Sequence, residues 1–217
     1  MPLRAHWTFR YLRSRLAEVL YQWSRPEDPW LTRSANLALS SLLKPADIGL
    51  EFGSGRSTLW FAARMQHLTS VEHNQSWHSR VTEMLRVRDV RNVTYLSRET
   101  SDDETAGDTD PYSAVARTFA DQSLDFVLID GAQRALCALA VLPKLRPGAI
   151  LVIDNVNWFL PSASVSPNSR SLDAGAREGV WQAVHAAISP WRVMWTSNSV
   201  TDTAIFFKPC SSNDAAV

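Results

Sequence analysis

The sequence predicts an α/β domain: a mostly parallel β-sheet with helices packed on both of its faces. Three observations predict it. From Asp47 onward, short apolar runs alternate with stretches of helical periodicity, the pattern of repeated strand–helix–strand crossovers. Two glycines one residue apart, Gly53 and Gly55, stand where the first apolar run gives way to the first of those helices. The last two apolar runs, 191–196 and 203–208, are joined only by 197–202. That connection is too short for a crossover helix and suits an antiparallel hairpin.

Residues 1–44 form a helical extension ahead of the domain. Phe9, Leu12, Leu16, Val19, Leu20 and Trp23 recur at helical spacing, and residues 1–30 also carry five arginines. The plain expectation is a helix that packs this apolar stripe on the domain; the alternatives are a lid and a basic amphipathic helix resting on anionic lipid. A second helix over 33–43 stops before Pro45, which disfavours the helical region in the residue preceding it.

The alternation then gives strand 47–52, helix 57–66, strand 68–72, helix 76–86 with Trp77, Val81, Met84 and Leu85 inward, and strand 92–96. Residues 97–111 hold six acids (Glu99, Asp102, Asp103, Glu104, Asp108, Asp110) and almost nothing apolar, the composition of a solvated loop. A short helix near 112–119, strand 125–130 and helix 132–145 follow. The Arg146-Pro147-Gly148 turn leads into strand 149–154. A Ser/Pro-rich loop over 157–172, a helix over 173–188 and the two late strands complete the domain, 45–208, with a flexible tail at 209–217.

Composition narrows the function classes. A chain of 217 residues, 45% apolar, is sized for one domain with a substantial core. Basic and acidic residues balance at 22 each, so no overall charge draws it to nucleic acid. Cys137 and Cys210 sit near no ligand-spaced partner, which points to free thiols in a reducing, cytoplasmic setting. No apolar run approaches the ~20 residues that span a bilayer. Lys44, Lys144 and Lys208 are the only lysines, so few groups could serve as a desolvated catalytic amine.

The chemistry concentrates in Glu51-Phe52-Gly53-Ser54-Gly55-Arg56-Ser57-Thr58. The glycines let the chain turn tightly and let a ligand lie against the main chain, while Ser57 or Thr58 caps the next helix. N–H groups at a helix start favour a carboxylate or phosphate. Glu72, nineteen residues after Gly53, closes the next strand, where a carboxylate can accept hydrogen bonds from both ribose hydroxyls. The pattern points to an adenosine-containing ligand. A dinucleotide fingerprint would place a third glycine where Thr58 stands. No tyrosine is followed four residues on by a lysine, which excludes the short-chain dehydrogenase mechanism. Glu51 suits a ligand bearing positive charge, such as a sulfonium or an α-ammonium group.

With these residues the chain resembles the class I S-adenosylmethionine-dependent methyltransferases, over about residues 45–208. The resemblance rests on Glu51, Gly53, Gly55, Glu72, the run Leu124-Asp125-Phe126-Val127-Leu128-Ile129-Asp130-Gly131, and the run Leu145–Asn155. It implies a Rossmann-like sheet of seven strands with an antiparallel last strand. It also implies S-adenosylmethionine as cofactor, held by Glu51, Gly53, Ser54, Gly55, Ser57, Thr58, Glu72, His73 and Asp130. Ser57 replaces the third glycine of the family loop.

Asp130, Asp154 and Asn155 further resemble the catechol O-methyltransferase group, in which the matching residues hold a magnesium ion that binds the substrate hydroxyls. Three oxygen ligands from neighbouring strand ends suit such a hard cation. The base of that group, a lysine three residues after the first Asp, is here Gln133, followed by Arg134, which cannot act as a base. If no metal is present, Asp130 can itself take the proton and is the candidate catalytic residue. His73, His78 and His185 lack metal-ligand spacing. Trp158, Phe159 and Leu160, following the last parallel strand, suit either a substrate lid or an anchored connection.

The sequence expectation is therefore methyl transfer to an oxygen of a small molecule or sugar, with no nucleic-acid partner and an undetermined oligomeric state. Two alternatives remain: a methyltransferase of the same fold acting on nitrogen or on a macromolecule, and a nucleotide-binding module without catalysis.

Overall fold

The computed structural model describes residues 8–101 and 109–210. Of the acid-rich segment, Asp102, Asp103, Glu104 and Asp108 therefore lie outside the described residues, as does most of the 209–217 tail. Helix α1 spans Phe9–Ser24 and α2 spans Arg33–Leu42. The domain then runs β1 (Ile48–Phe52), α3 (Arg56–Ala62), β2 (His67–Glu72), α4 (Gln75–Val87), β3 (Val93–Ser97), β4 (Leu124–Ile129), α5 (Arg134–Val141), β5 (Leu145–Asp154), α6 (Val180–Ile188), β6 (Arg192–Ser197) and β7 (Asp202–Phe207).

The seven strands lie in the order β3-β2-β1-β4-β5-β7-β6. All neighbours pair in parallel except β5–β7 and β7–β6, which are antiparallel. The late hairpin is therefore inserted beside β5. Alternation along β4 explains the two-sided core. Val127 and Ile129 join a cluster with Trp181 of α6 and Ala138 of α5. Phe126 and Leu128 join the opposite cluster with Leu39 of α2 and Phe61 of α3. A strand buried on both faces reads as one continuous apolar run, which is how β4 and β5 stand out in the sequence.

Several boundaries differ from the sequence expectation for local reasons. Helix α5 starts at Arg134, two residues late, because Gln133 takes a left-handed conformation with φ 44°. Helix α6 starts only at Val180, after Gly175 and Gly179 adopt φ 62° and 77° and interrupt helical winding. Asp110 belongs to no solvated loop. It is 1% exposed, and its carboxylate accepts from the backbone N–H groups of Ser101 (3.1 Å) and Ser113 (2.8 Å).

Helix α1 reverses its expected orientation. Phe9, Leu12, Leu16, Val19, Leu20 and Trp23 are all exposed, and Phe9 and Trp23 reach 84% and 83%. Its inward face is polar: Glu18 is buried and accepts from Asn198 Nδ2 at 2.8 Å, while Tyr21 donates to Asp28 at 2.5 Å. The 3.6-residue period was legible, but period alone does not say which stripe faces the domain.

Candidate active site

The order β2-β1-β4-β5 places the topological switch between β1 and β4, so ligands are expected beyond the carboxyl ends of those strands. The glycine turn lies there. Gly53 has φ 93°, and a Cβ added to it would come within 2.6 Å of Gly131 N. The sequence reading attributed that missing side chain to ligand approach; packing against the turn after β4 is what requires it. Gly131 is bound by the same contact and by the hydroxyl of buried Tyr112, 1.9 Å from where its Cβ would sit. Gly55 differs: an added Cβ meets nothing closer than 3.8 Å.

Gly55, rather than Ser57 or Thr58, is the N-cap of α3. Thr58 reaches back, its hydroxyl accepting from Gly55 N–H at 3.0 Å and donating to Glu51 Oε2 at 2.6 Å. Ser70 donates to the same oxygen at 2.6 Å. Glu51 Oε1 is buried without a hydrogen-bond partner among the described residues. Burial pushes the Glu51 carboxyl up to about 7, against the hydroxyls of Ser57, Ser70 and Thr58 that favour its ionised form.

Glu72 ends β2 and is 3% exposed. Its Oε1 accepts from the N–H groups of His73 (2.9 Å) and Asn74 (2.8 Å). Its Oε2 accepts from Ser54 N–H (3.1 Å) and Ser54 Oγ (3.0 Å). Ser54 Oγ also meets the Tyr95 hydroxyl at 2.6 Å. His73 places Nδ1 3.2 Å from Glu72 and turns its ring edge-on to Tyr112, with centroids 5.7 Å apart.

Ser54, Gly55, Ser57 and Asp130 line a cavity of about 380 Å³. Glu51, Thr58 and Glu72 lie behind that wall. The sequence reading missed the other side of the cavity, where Trp30 and Trp77 stack with centroids 6.5 Å apart. Arg56 lies over Trp30 (4.8 Å) and Arg80 over Trp77 (5.5 Å). Trp77 Nε1 donates to Ser54 O at 2.7 Å, tying α4 to the glycine turn. An indole and an arginine at a helix start were visible in the sequence, but Trp30 and Trp77 meet only through the fold.

Asp130, Asp154 and Asn155 do come together at the ends of β4 and β5, around Arg134. All five guanidinium N–H groups are used. Nε donates to Gly131 O (3.0 Å), and Nη2 to Asp130 O and Asp130 Oδ1 (both 3.0 Å). Nη1 donates to Asp154 O (2.5 Å) and Asn155 Oδ1 (3.0 Å). Asp154 Oδ1 accepts from Thr203 Oγ1 at 2.6 Å. Burial, then repulsion from Asp130, pushes Asp154 up to about 8. Burial also raises Asp130, opposed by Arg134.

This donor set does not fit the magnesium ion expected from the sequence. Asp130 Oδ1 and Asn155 Oδ1 face the permanent cation of Arg134, and the third residue, Asp154, has a buried carboxyl that favours its protonated form. Among the described residues, no three His, Cys, Asp or Glu side chains are grouped to hold a metal. Cys137 is buried and Cys210 exposed, both unpaired. The 157–172 loop is anchored: Phe159 stacks on Trp181 with centroids 4.5 Å apart, and Ser166 donates to Asp202 at 2.6 Å.

A family described as a methyltransferase domain matches residues 50–156, from β1 through the end of β5. This match covers the glycine turn, Glu72 and the Arg134 cluster. Those residues form a methyltransferase domain. Solved structures agree at the level of fold. A candidate caffeoyl-CoA O-methyltransferase from Staphylococcus aureus superposes with TM-score 0.57 at 18% identity, covering 93% of this chain and 92% of that one. An rRNA methylase from Streptococcus thermophilus gives 0.56 at 10% identity, over 83% and 99%. A candidate methyltransferase from Streptococcus mutans, in complex with SAH, gives 0.53 at 11% identity, over 82% and 99%. No functionally curated protein matches the sequence. The methyltransferase is thus an S-adenosylmethionine-dependent enzyme by fold and family. Among its described residues, no helix is long and apolar enough to cross a membrane.

Proposed function

We propose that this methyltransferase moves a methyl group from S-adenosylmethionine to a hydroxyl oxygen of a small molecule or sugar, without a metal ion. The observation that most supports the cofactor's place is Glu51 Oε1, a buried carboxylate oxygen lacking a partner directly behind the glycine turn. A buried acceptor left unpaired is costly, and a positively charged ligand group relieves that cost. The open space over Gly55 admits such a ligand against the main chain.

When bound, S-adenosylmethionine supplies an electrophilic methyl group on a sulfonium centre. The chain's own residues do the rest. Glu51 balances positive charge, and Glu72 takes the ribose hydroxyls once Ser54 Oγ moves off Oε2. Asp130, at the cavity wall, orients the acceptor hydroxyl and takes its proton as the oxygen–methyl bond forms. Arg134 holds Asp130 and Asn155 in the place a metal would otherwise organise. The stacked Trp30 and Trp77 offer an apolar wall for a small acceptor.

The test is calorimetry with S-adenosylhomocysteine and with NAD, followed by a screen of hydroxylated small molecules with methyl-labelled cofactor in chelator. Binding of S-adenosylhomocysteine alone, and label transferred to an oxygen, are expected. NAD binding in its place, or transfer only to RNA or protein, would overturn the reading.

A further inference from the structure

We propose that α1 is a membrane-contact helix, lying flat in the headgroup region of an anionic lipid bilayer and carrying the catalytic domain on its polar side. The helix is built inside out. At about 100° per residue, Phe9, Leu12, Leu16, Val19, Leu20 and Trp23 fall in a stripe about 100° wide. All six are exposed, and no described part of the chain covers them. The opposite side, with buried Glu18 and half-buried Tyr11, Ser14 and Tyr21, packs on the domain. It is fastened by polar contacts, Glu18 to Asn198 at 2.8 Å and Arg10 Nε to Ser199 Oγ at 3.3 Å.

Charge selects the occupant. Arg13 borders the stripe on one side and Arg15 lies beyond it on the other, with Arg10 and Arg25 also exposed. The only acid between residues 8 and 25 is Glu18, which is turned inward and engaged by Asn198 and Gln22. An apolar face flanked by arginines, with an aromatic residue near each end, matches a helix whose guanidinium groups reach phosphate headgroups while its apolar side chains enter the acyl boundary. Residues 9, 12, 16, 19 and 23 also have heptad spacing, so a second copy of α1 is the competing occupant. Two such helices side by side would line both edges of their seam with Arg13 and Arg15, with no outward acid on either helix to pair them.

Flotation of the full chain with neutral phosphatidylcholine vesicles, and with vesicles containing one quarter phosphatidylglycerol, tests the proposal. Binding to the anionic vesicles alone is expected, falling several-fold between 50 and 500 mM salt as screening increases. The double variant Arg13→Gln/Arg15→Gln should weaken partitioning about twenty-fivefold, at about fivefold per arginine. Leu16→Glu should abolish it. Both variants change only exposed positions, so circular dichroism and melting should match the parent. No flotation with anionic vesicles, or flotation unaltered by Leu16→Glu, overturns the proposal. So does a dimer by sedimentation that Leu16→Glu dissolves while vesicles remain unbound.

Discussion

Arg134, the first residue of α5, reaches back four residues to Asp130, Nη2 to Oδ1 at 3.0 Å, and with the rest of its guanidinium joins the ends of β4 and β5. Lysine in its place would keep the charge and lose the planar fork that serves five acceptors at once. In this enzyme the position of an expected metal is filled from within the chain.

Metal independence follows. Methyl transfer should be unchanged in excess chelator, and Asp154→Asn should not mimic metal loss. Arg134→Ala leaves Asp130 Oδ1, Asn155 Oδ1 and three carbonyls short of a donor in a mostly buried setting. A stability loss of about 2–4 kcal/mol is expected by urea denaturation, with Arg134→Lys intermediate. Activity lost in chelator and restored by magnesium would return Asp130 to the role of metal ligand.

Glu51 makes stability fall with rising pH. Its folded carboxyl titrates near 7 and its unfolded one near 4.5, so between those values the folded state retains a proton that the unfolded chain has released. The Glu51 contribution therefore declines from about pH 4.5 to 7 and levels off above, by at most about 3.4 kcal/mol at 1.36 kcal/mol per unit. The affinity for a cationic cofactor should move oppositely, rising towards pH 7 as Glu51 ionises. Glu51→Gln should flatten the affinity profile, read by calorimetry across pH 5–8.5, and should remove its own part of the stability decline in urea denaturation, leaving the part from buried Asp154, whose carboxyl is pushed up to about 8.

How far the sequence carried is clear from particular residues. The strands and the turn at Gly53–Gly55 were legible because apolar runs and glycines are local signals. The left-handed turn at Gln133, which shortens α5, has no local signature, because glutamine is not a residue type that favours that region. The α1 stripe had the right period, but the side facing the domain was decided by Asn198 and Ser199, about 180 residues away. Glu72 was correctly singled out as a strand-end acid, whereas its engagement by Ser54 required the fold.

That engagement gives a test of the ribose role. Glu72→Ala removes the acceptor and should weaken S-adenosylhomocysteine binding by about 1.5–3 kcal/mol, the scale of charge-assisted hydrogen bonds. It should also lower stability, because the N–H groups of Ser54, His73 and Asn74 lose their acceptor. Ser54→Ala separates the two effects. It frees one lone pair on Oε2 and leaves the backbone bonds in place, so cofactor affinity should stay within about threefold. Equal calorimetric losses for the two variants would assign the ligand contact to Ser54.

The connection after β5 gives the last prediction. A substrate lid would place Phe159 at a mobile tip, and its removal would alter turnover more than stability. Here Phe159 lies parallel to Trp181 at 10° and is 8% exposed, within the cluster beneath α5 and α6. Phe159→Ala therefore leaves a cavity in the core and should cost about 3 kcal/mol in urea denaturation. Trp158, 43% exposed next to it, should cost under about 1 kcal/mol as Trp158→Ala. A reversed ranking, or a turnover defect in Phe159→Ala with unaltered melting, would make this segment a moving cover, because only a side chain that leaves its pocket during the cycle can be lost without destabilising the resting fold.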